Sequence, residues 1–206
     1  MQIISHRGYW KDKRERNQAI AFERSFDLGL GTETDVRDLA GELLISHDMP
    51  FGNELSLDDL LDIMDGRNLP LAMNIKADGM AEALKKKLSE RGHTNWFAFD
   101  MAIPDMRSYL QLGMPTYTRM SEVEQQPAWL QQATGVWLDG FDGEWFSNAR
   151  ITELLDADKR VCIVSPELHG RSPEKLWLQL LEHPQSKNLM LCTDFPEHTI
   201  ISRRNT

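Results

Sequence analysis

Cysteine is nearly absent from this chain. Its two thiols, Cys162 and Cys192, stand in no Cys-x-x-Cys spacing, and both fall in apolar runs that read as strands. Buried thiols are therefore expected, rather than a disulfide or a metal site. Long hydrophobic runs are missing too: no stretch approaches the ~18 apolar residues of a membrane span. The first residues do not follow a secretory pattern, because a short apolar run is followed at once by Lys11, Lys13, Arg14 and Arg16. These features predict a cytoplasmic protein with no membrane insertion. Basic residues are outnumbered, with Lys+Arg 23 against Asp+Glu 32 and a formal net charge of -9. A chain of that balance carries no basic stripe for nucleic acid and is not drawn to an anionic membrane surface. Internal repeats, low-complexity segments and linkers are all lacking, so residues 1–206 are read as a single domain.

What is present is an ordinary globular composition, 41% hydrophobic and 27% charged, in which strand-like and helix-like segments alternate. Strands are expected at 2–5, 32–36, 71–75, 96–99, 115–118, 135–138, 160–164 and 189–192. Between them fall amphipathic helices. One follows Asn17, with Ala19, Phe22 and Phe26 on one face; another spans Leu57–Met64 behind a Ser56 cap; others cover 79–91, 104–112, 148–157 and 174–182. Glu122 to Gln132 is also predicted to be helical, with Pro127 in the first turn of a restarted helix. Eight such alternations imply parallel pairing with right-handed crossovers. The fold class is α/β, a single (β/α)8 TIM barrel, and 206 residues is minimal for it.

The most informative stretch is Gly31 to Asp48. Glu33 and Asp35 are two apart on a strand, so their side chains share a face, with Cα atoms about 6.6 Å apart. Like charges that close repel unless a positive group lies between them, and a hard divalent cation with oxygen ligands fits such a gap. An edge strand with two solvated acids is the alternative reading of the same spacing. Gly41 allows a turn, Leu43 to Ile45 return, and His47-Asp48 follow. At the start of the chain, strand one runs straight into His6-Arg7-Gly8. Most of the other polar candidates also follow strands: Asn74, Lys76, Asp100, Arg119, Asp139, Glu167, His169 and Asp194. That is the end of the strands where (β/α)8 enzymes build their sites. His93, His183 and His198 read as helix-end or tail residues with structural roles.

His6-Arg7-Gly8, Asn17 with Ala21-Phe22, Glu33-x-Asp35-Val36-Arg37, His47-Asp48 and the late Thr193-Asp194-Phe195-Pro196-Glu197 occur in this order. Together they resemble the glycerophosphodiester phosphodiesterase family, over nearly the whole chain. The resemblance implies a metal-dependent phosphodiesterase acting on a small-molecule glycerol- or sugar-linked phosphodiester, a reaction of lipid metabolism. His6 and His47 would be the catalytic acid–base pair. Glu33, Asp35 and Asn74 would hold a divalent cation, magnesium or calcium, and Arg7 and Lys76 would bind phosphate. Glu167 and His169 are further substrate-binding candidates outside any shared motif. The family places a glutamate where this chain has Asn74, which removes one negative charge but keeps a carbonyl oxygen for the metal; Asp100 is the substitute candidate. Residues 49–56 leave no room for the subdomain the family often inserts. A lyase releasing a cyclic phosphodiester is the nearest alternative, and a non-catalytic barrel binding phosphorylated glycans is the other. No motif speaks to oligomeric state.

Overall fold

The structure, a computed structural model, describes residues 1–198. Eight parallel strands alternate with helices, the (β/α)8 class expected from the sequence. The chain divides into two compact units, Ser5–Thr116 and Met1–Ile4 with the residues from Tyr117 onward.

In the unit of residues 5–116, the end of β1 (Gln2–His6) is followed by α1 (Ala19–Asp27), β2 (Gly31–Leu39), β3 (Glu42–Ile45) and α2 (Leu57–Met64). Then come β4 (Leu71–Ile75), α3 (Ala81–Glu90), β5 (Trp96–Phe99) and α4 (Ile103–Gln111). The strands lie in the order β1-β2-β4-β5. The extra strand β3 pairs antiparallel with the far half of β2, Val36 opposite Ile45 and Leu39 opposite Glu42. Ala40 and Gly41 turn that hairpin with positive φ, as a two-residue hairpin loop requires. β2 therefore has two halves with different neighbours. Residues 32–36 are flanked in parallel by β4 and buried, whereas Asp38 and Leu39 reach solvent. Helix α1 buries Ala21, Phe22 and Phe26, with the two rings stacked 6.2 Å apart; a buried phenylalanine contributes ~1.5–3 kcal/mol. α2 buries Leu57, Leu60, Leu61 and Met64 behind a capping box of Ser56 and Asp59.

The loop from β1 to α1 is built on Gly8. Its φ is +81°, and a Cβ there would stand 2.7 Å from the Cβ of Ala21, so only glycine lets the loop press against α1.

The other unit carries β6 (Tyr117–Met120), β7 (Gly135–Leu138), α5 (Asn148–Asp156), β8 (Arg160–Val164), α6 (Glu174–Glu182) and β9 (Leu189–Thr193). They are ordered β1-β9-β8-β7-β6. Cys162 on β8 and Cys192 on β9 are buried and not joined in a disulfide, as expected. Two readings are corrected here. The strand expected at 115–118 starts at Tyr117 and runs to Met120, so Arg119 lies within it. The helix expected from Glu122 to Gln132 is not formed; that stretch is a series of turns. Trp129 has φ +57°, and the Glu122 carboxylate accepts from Phe141 N (3.1 Å) and Asp142 N (2.6 Å). These local bonds outcompete a helix already broken by Pro127. His183 has the structural role expected, bonded to Thr152 Oγ1 (3.1 Å) and Gln185 N (3.2 Å).

Candidate active site

The polar cluster of the 5–116 unit is assembled by strand register. Asp35 on β2 is opposite Asn74 on β4, and Glu33 is opposite Ala72. Neighbours in a parallel pair point the same way, and Glu33 is two residues from Asp35. Glu33, Asp35 and Asn74 thus share one face of the sheet. All three are buried, Glu33 at 1% and Asp35 at 0% exposure, which rules out the alternative of solvated edge-strand acids.

Buried carboxylates require compensation. Asp35 receives it from Arg7 Nε at 2.7 Å, Lys76 Nζ at 3.3 Å and Asn17 Nδ2, which donates to Oδ2 at 2.9 Å. Arg7 reaches this position because the chain leaves β1 in left-handed conformation, φ 59° at Arg7 and 81° at Gly8. Its N–H donates to Glu33 O at 2.9 Å. Lys76 follows β4, and its N–H donates to Val36 O at 3.0 Å. Glu33 is less well served, with His6 Nε2 3.8 Å from its Oε2. Burial and then the repulsion of Asp35 push the Glu33 carboxyl up, to about 7, against the opposing pull of His6, Arg7 and Lys76.

Three oxygens in this cluster are buried and accept no hydrogen bond: Glu33 Oε2, Asp35 Oδ1 and Asn74 Oδ1. Buried polar atoms are almost always paired; Asp35 Oδ1 has only the Lys76 ion pair at 3.3 Å and Glu33 Oε2 only His6 at 3.8 Å, so the three oxygens on one sheet face form a set of hard oxygen donors short of hydrogen bonds. They fit a divalent cation in the magnesium–calcium class. Among the described residues, no group of three or more His, Cys, Asp or Glu side chains gathers for a metal; the set here is two carboxylates and an amide.

His47 lies one residue beyond Ser46, whose N–H donates to Asp35 O at 3.0 Å. Arg37 Nε donates to His47 O at 3.0 Å, which holds the turn. The ring is half exposed, with Nδ1 2.9 Å from Asp48 Oδ1, so Asp48 orients it. That contact also holds the Asp48 carboxyl below its ordinary range. Glu167 and His169 belong to the other unit. Glu167 accepts from Thr193 Oγ1 (2.5 Å), Asp194 N (3.0 Å) and Ser165 Oγ, so its carboxylate clamps the ends of β8 and β9 together. His169 pairs instead with Asp139.

Sequence reasoning missed the role of Asn17. Its place just before α1 reads as a helix cap, but the capping position is Gln18, without a side-chain bond. Asn17 instead bridges Asp35 and Thr34, accepting from Thr34 Oγ1 at 2.9 Å. The signal was its placement in the motif, nine residues past Gly8; the polar run Lys11 to Gln18 around it hid that signal.

The fold is that of the glycerophosphodiester phosphodiesterases. One from Agrobacterium tumefaciens superposes with a TM-score of 0.72 at 16% identity, over 99% of each chain. A phosphodiesterase from Oleispira antarctica, in complex with the product sn-glycerol-3-phosphate, gives 0.71 at 14% identity over 99% of this chain and 97% of that one. A glycerophosphoryl diester phosphodiesterase from Parabacteroides distasonis gives 0.68 at 13% over 99% and 86%. No family model and no curated protein matches the sequence.

Proposed function

We propose that the chain is a phosphoric diester hydrolase of glycerophosphodiesterase type, acting as one domain on a small glycerol- or sugar-linked phosphodiester. The observation that carries this is the trio of buried oxygens that accept no hydrogen bond, set beside His6, Arg7 and Lys76. The likeness in fold to phosphodiesterases, one of them holding sn-glycerol-3-phosphate, supports the same reading.

Glu33, Asp35 and Asn74 would hold a divalent cation, magnesium or calcium, which would supply positive charge to a phosphate oxygen and to the charge that grows in the transition state. Arg7 and Lys76 already balance Asp35, so the site gains net positive charge for an anionic diester. His6 and His47 exchange protons, one taking a proton from the nucleophile and the other giving one to the leaving oxygen. Asp48 fixes the orientation of His47.

Among the described residues, no protein nucleophile is available beside them. Ser5 Oγ is buried among Ser25 Oγ (2.7 Å) and Thr32 Oγ1 (3.1 Å), and Ser46 Oγ donates to Asp48 O at 2.8 Å. Attack by a neighbouring hydroxyl of the substrate has the advantage, since it has already lost its translational freedom. Its oxygen bonds to phosphorus as the ester bond to the leaving alcohol breaks. The cyclic phosphodiester is then released or opened by water.

A panel of phosphodiesters followed by phosphorus NMR, with and without added divalent cation, tests the activity. Cleavage of none of them in excess magnesium or calcium refutes it. A substrate whose neighbouring hydroxyl is methylated tests the route: turnover at the normal rate makes water the direct nucleophile.

A further inference from the structure

The unit from Tyr117 onward carries a second polar assembly that the proposed chemistry does not use. Asp139, 3% exposed at the end of β7, is its hub. Its Oδ2 accepts from Arg119 Nη1 at 2.7 Å, and its Oδ1 accepts from Gly140 N at 2.8 Å and lies 2.8 Å from His169 Nε2. A carboxylate only accepts, so Nε2 of His169 is the donor. The neutral ring then presents Nδ1 as an acceptor, and Nδ1 makes no hydrogen bond to the described residues. Phe141 lies against both partners. Its ring centroid is 5.3 Å from the Arg119 guanidinium, and the His169 ring meets it edge-on at 5.5 Å and 82°.

The loop that presents Phe141 is held by three side chains. Glu122 accepts from Phe141 N and Asp142 N. Trp145 Nε1 donates to Asp139 O at 2.6 Å, and the Arg171 guanidinium donates to Gly140 O. A platform fixed before binding loses little entropy when a ligand arrives.

Its electrostatics select the ligand. Arg119 is neutralised by Asp139, and against the upward push of burial the backbone N–H groups of Asp142, Glu122 and Phe141, then the charge of Arg171, hold the Glu122 carboxyl below its ordinary range. Asp142 adds exposed negative charge. An anion gains nothing here, whereas a partly exposed aromatic face beside a hydrogen-bond acceptor suits a ligand with C–H faces and O–H edges. We infer that Phe141, His169 and Arg119 form a binding platform for an uncharged polyol, with a hydroxyl donating to His169 Nδ1 and its carbon skeleton resting on Phe141. Asp139 is the positioning residue. The platform lies within the unit from Tyr117 onward and does not rest on the phosphodiesterase reading.

The test is nitrogen-15 NMR of the histidine side chains during titration with myo-inositol, with inorganic phosphate as the anionic comparator. The expected result is a saturable shift of the His169 nitrogens with myo-inositol and none with phosphate. Followed by Trp145 fluorescence, Phe141→Ala and His169→Gln should each weaken binding by about tenfold, the scale of one lost contact, with unchanged circular dichroism. If Phe141→Ala fails to fold, His169→Gln alone decides. A saturable response to phosphate but not to myo-inositol, or to neither, or undiminished binding in a folded variant, overturns the assignment. An inactive protein that still binds myo-inositol upholds the platform while refuting phosphodiester cleavage, so the two failures separate.

Discussion

Asn17 occupies a left-handed backbone position, φ 58°, that L-residues other than asparagine and aspartate seldom adopt. Its amide holds Asp35 on one side and Thr34 on the other. Asn17→Ala leaves a buried carboxylate oxygen and a buried hydroxyl short of a partner, and should cost ~1–3 kcal/mol in denaturant unfolding. It should also weaken cation binding, since Asp35 loses a group that orients it; unchanged binding by calorimetry would make Asn17 purely structural. For the acid–base pair, His6→Ala and His47→Ala should each lower turnover by ~10², with His47→Ala unfolding as the parent does, because its ring is half exposed. A parental rate in either variant removes that histidine from the mechanism. Residue identities at the site were legible because the spacing Glu33-x-Asp35 survives any detail of packing. That Arg7 and Lys76 turn onto Asp35 was not legible, since it depends on the left-handed turn at Arg7 and on pairing across strands remote in sequence.

The connection from β1 to α1 is an element in its own right. A short 3-10 turn, Lys13–Glu15, sits behind an Asp12 capping box, and Arg16 stacks on Trp10 at 4.2 Å. Glu15 anchors the turn to α1 through Arg24 Nη1 at 2.6 Å. The Arg24 guanidinium, and then the backbone N–H of Lys11, hold the Glu15 carboxyl down at about 2. A carboxyl depressed in the folded state favours folding above its unfolded value of 4.5, and that contribution fades as pH falls towards 2. Glu15→Gln should therefore melt below the parent at pH 7, and the gap should close on acidification; a gap constant from pH 7 to pH 3 refutes the linkage. Most elements could be read from periodicity and caps. The failed helix at 122–132 shows the limit: Glu122 finds its partners at Phe141 and Asp142, in a loop that local sequence does not bring near.

At the scale of the whole molecule, the alternation of strands and helices made the (β/α)8 class readable before any coordinates. The division into two compact units was not readable, because no linker or shift in composition marks Ile4–Ser5 or Thr116–Tyr117. The proposed cation joins Glu33, Asp35 and Asn74 within one unit, and relieves two buried like charges when it binds. Added magnesium or calcium should thus raise the melting temperature, by an increment that grows with concentration, and excess chelator should abolish turnover. Glu33→Gln should remove both responses. Full activity in chelator would exclude the cation from the reaction.

The two thiols on β8 and β9 give the protein a clock for its own opening. Cys162 and Cys192 are shut away at 0% exposure, so a thiol reagent reaches them only when strands part. At low reagent concentration, the labelling rate reports how often such opened forms are populated. At high concentration it reports how fast they arise. Neighbouring strands that open together should surrender both thiols at one rate. Two distinct rates would show that β8 and β9 come apart separately.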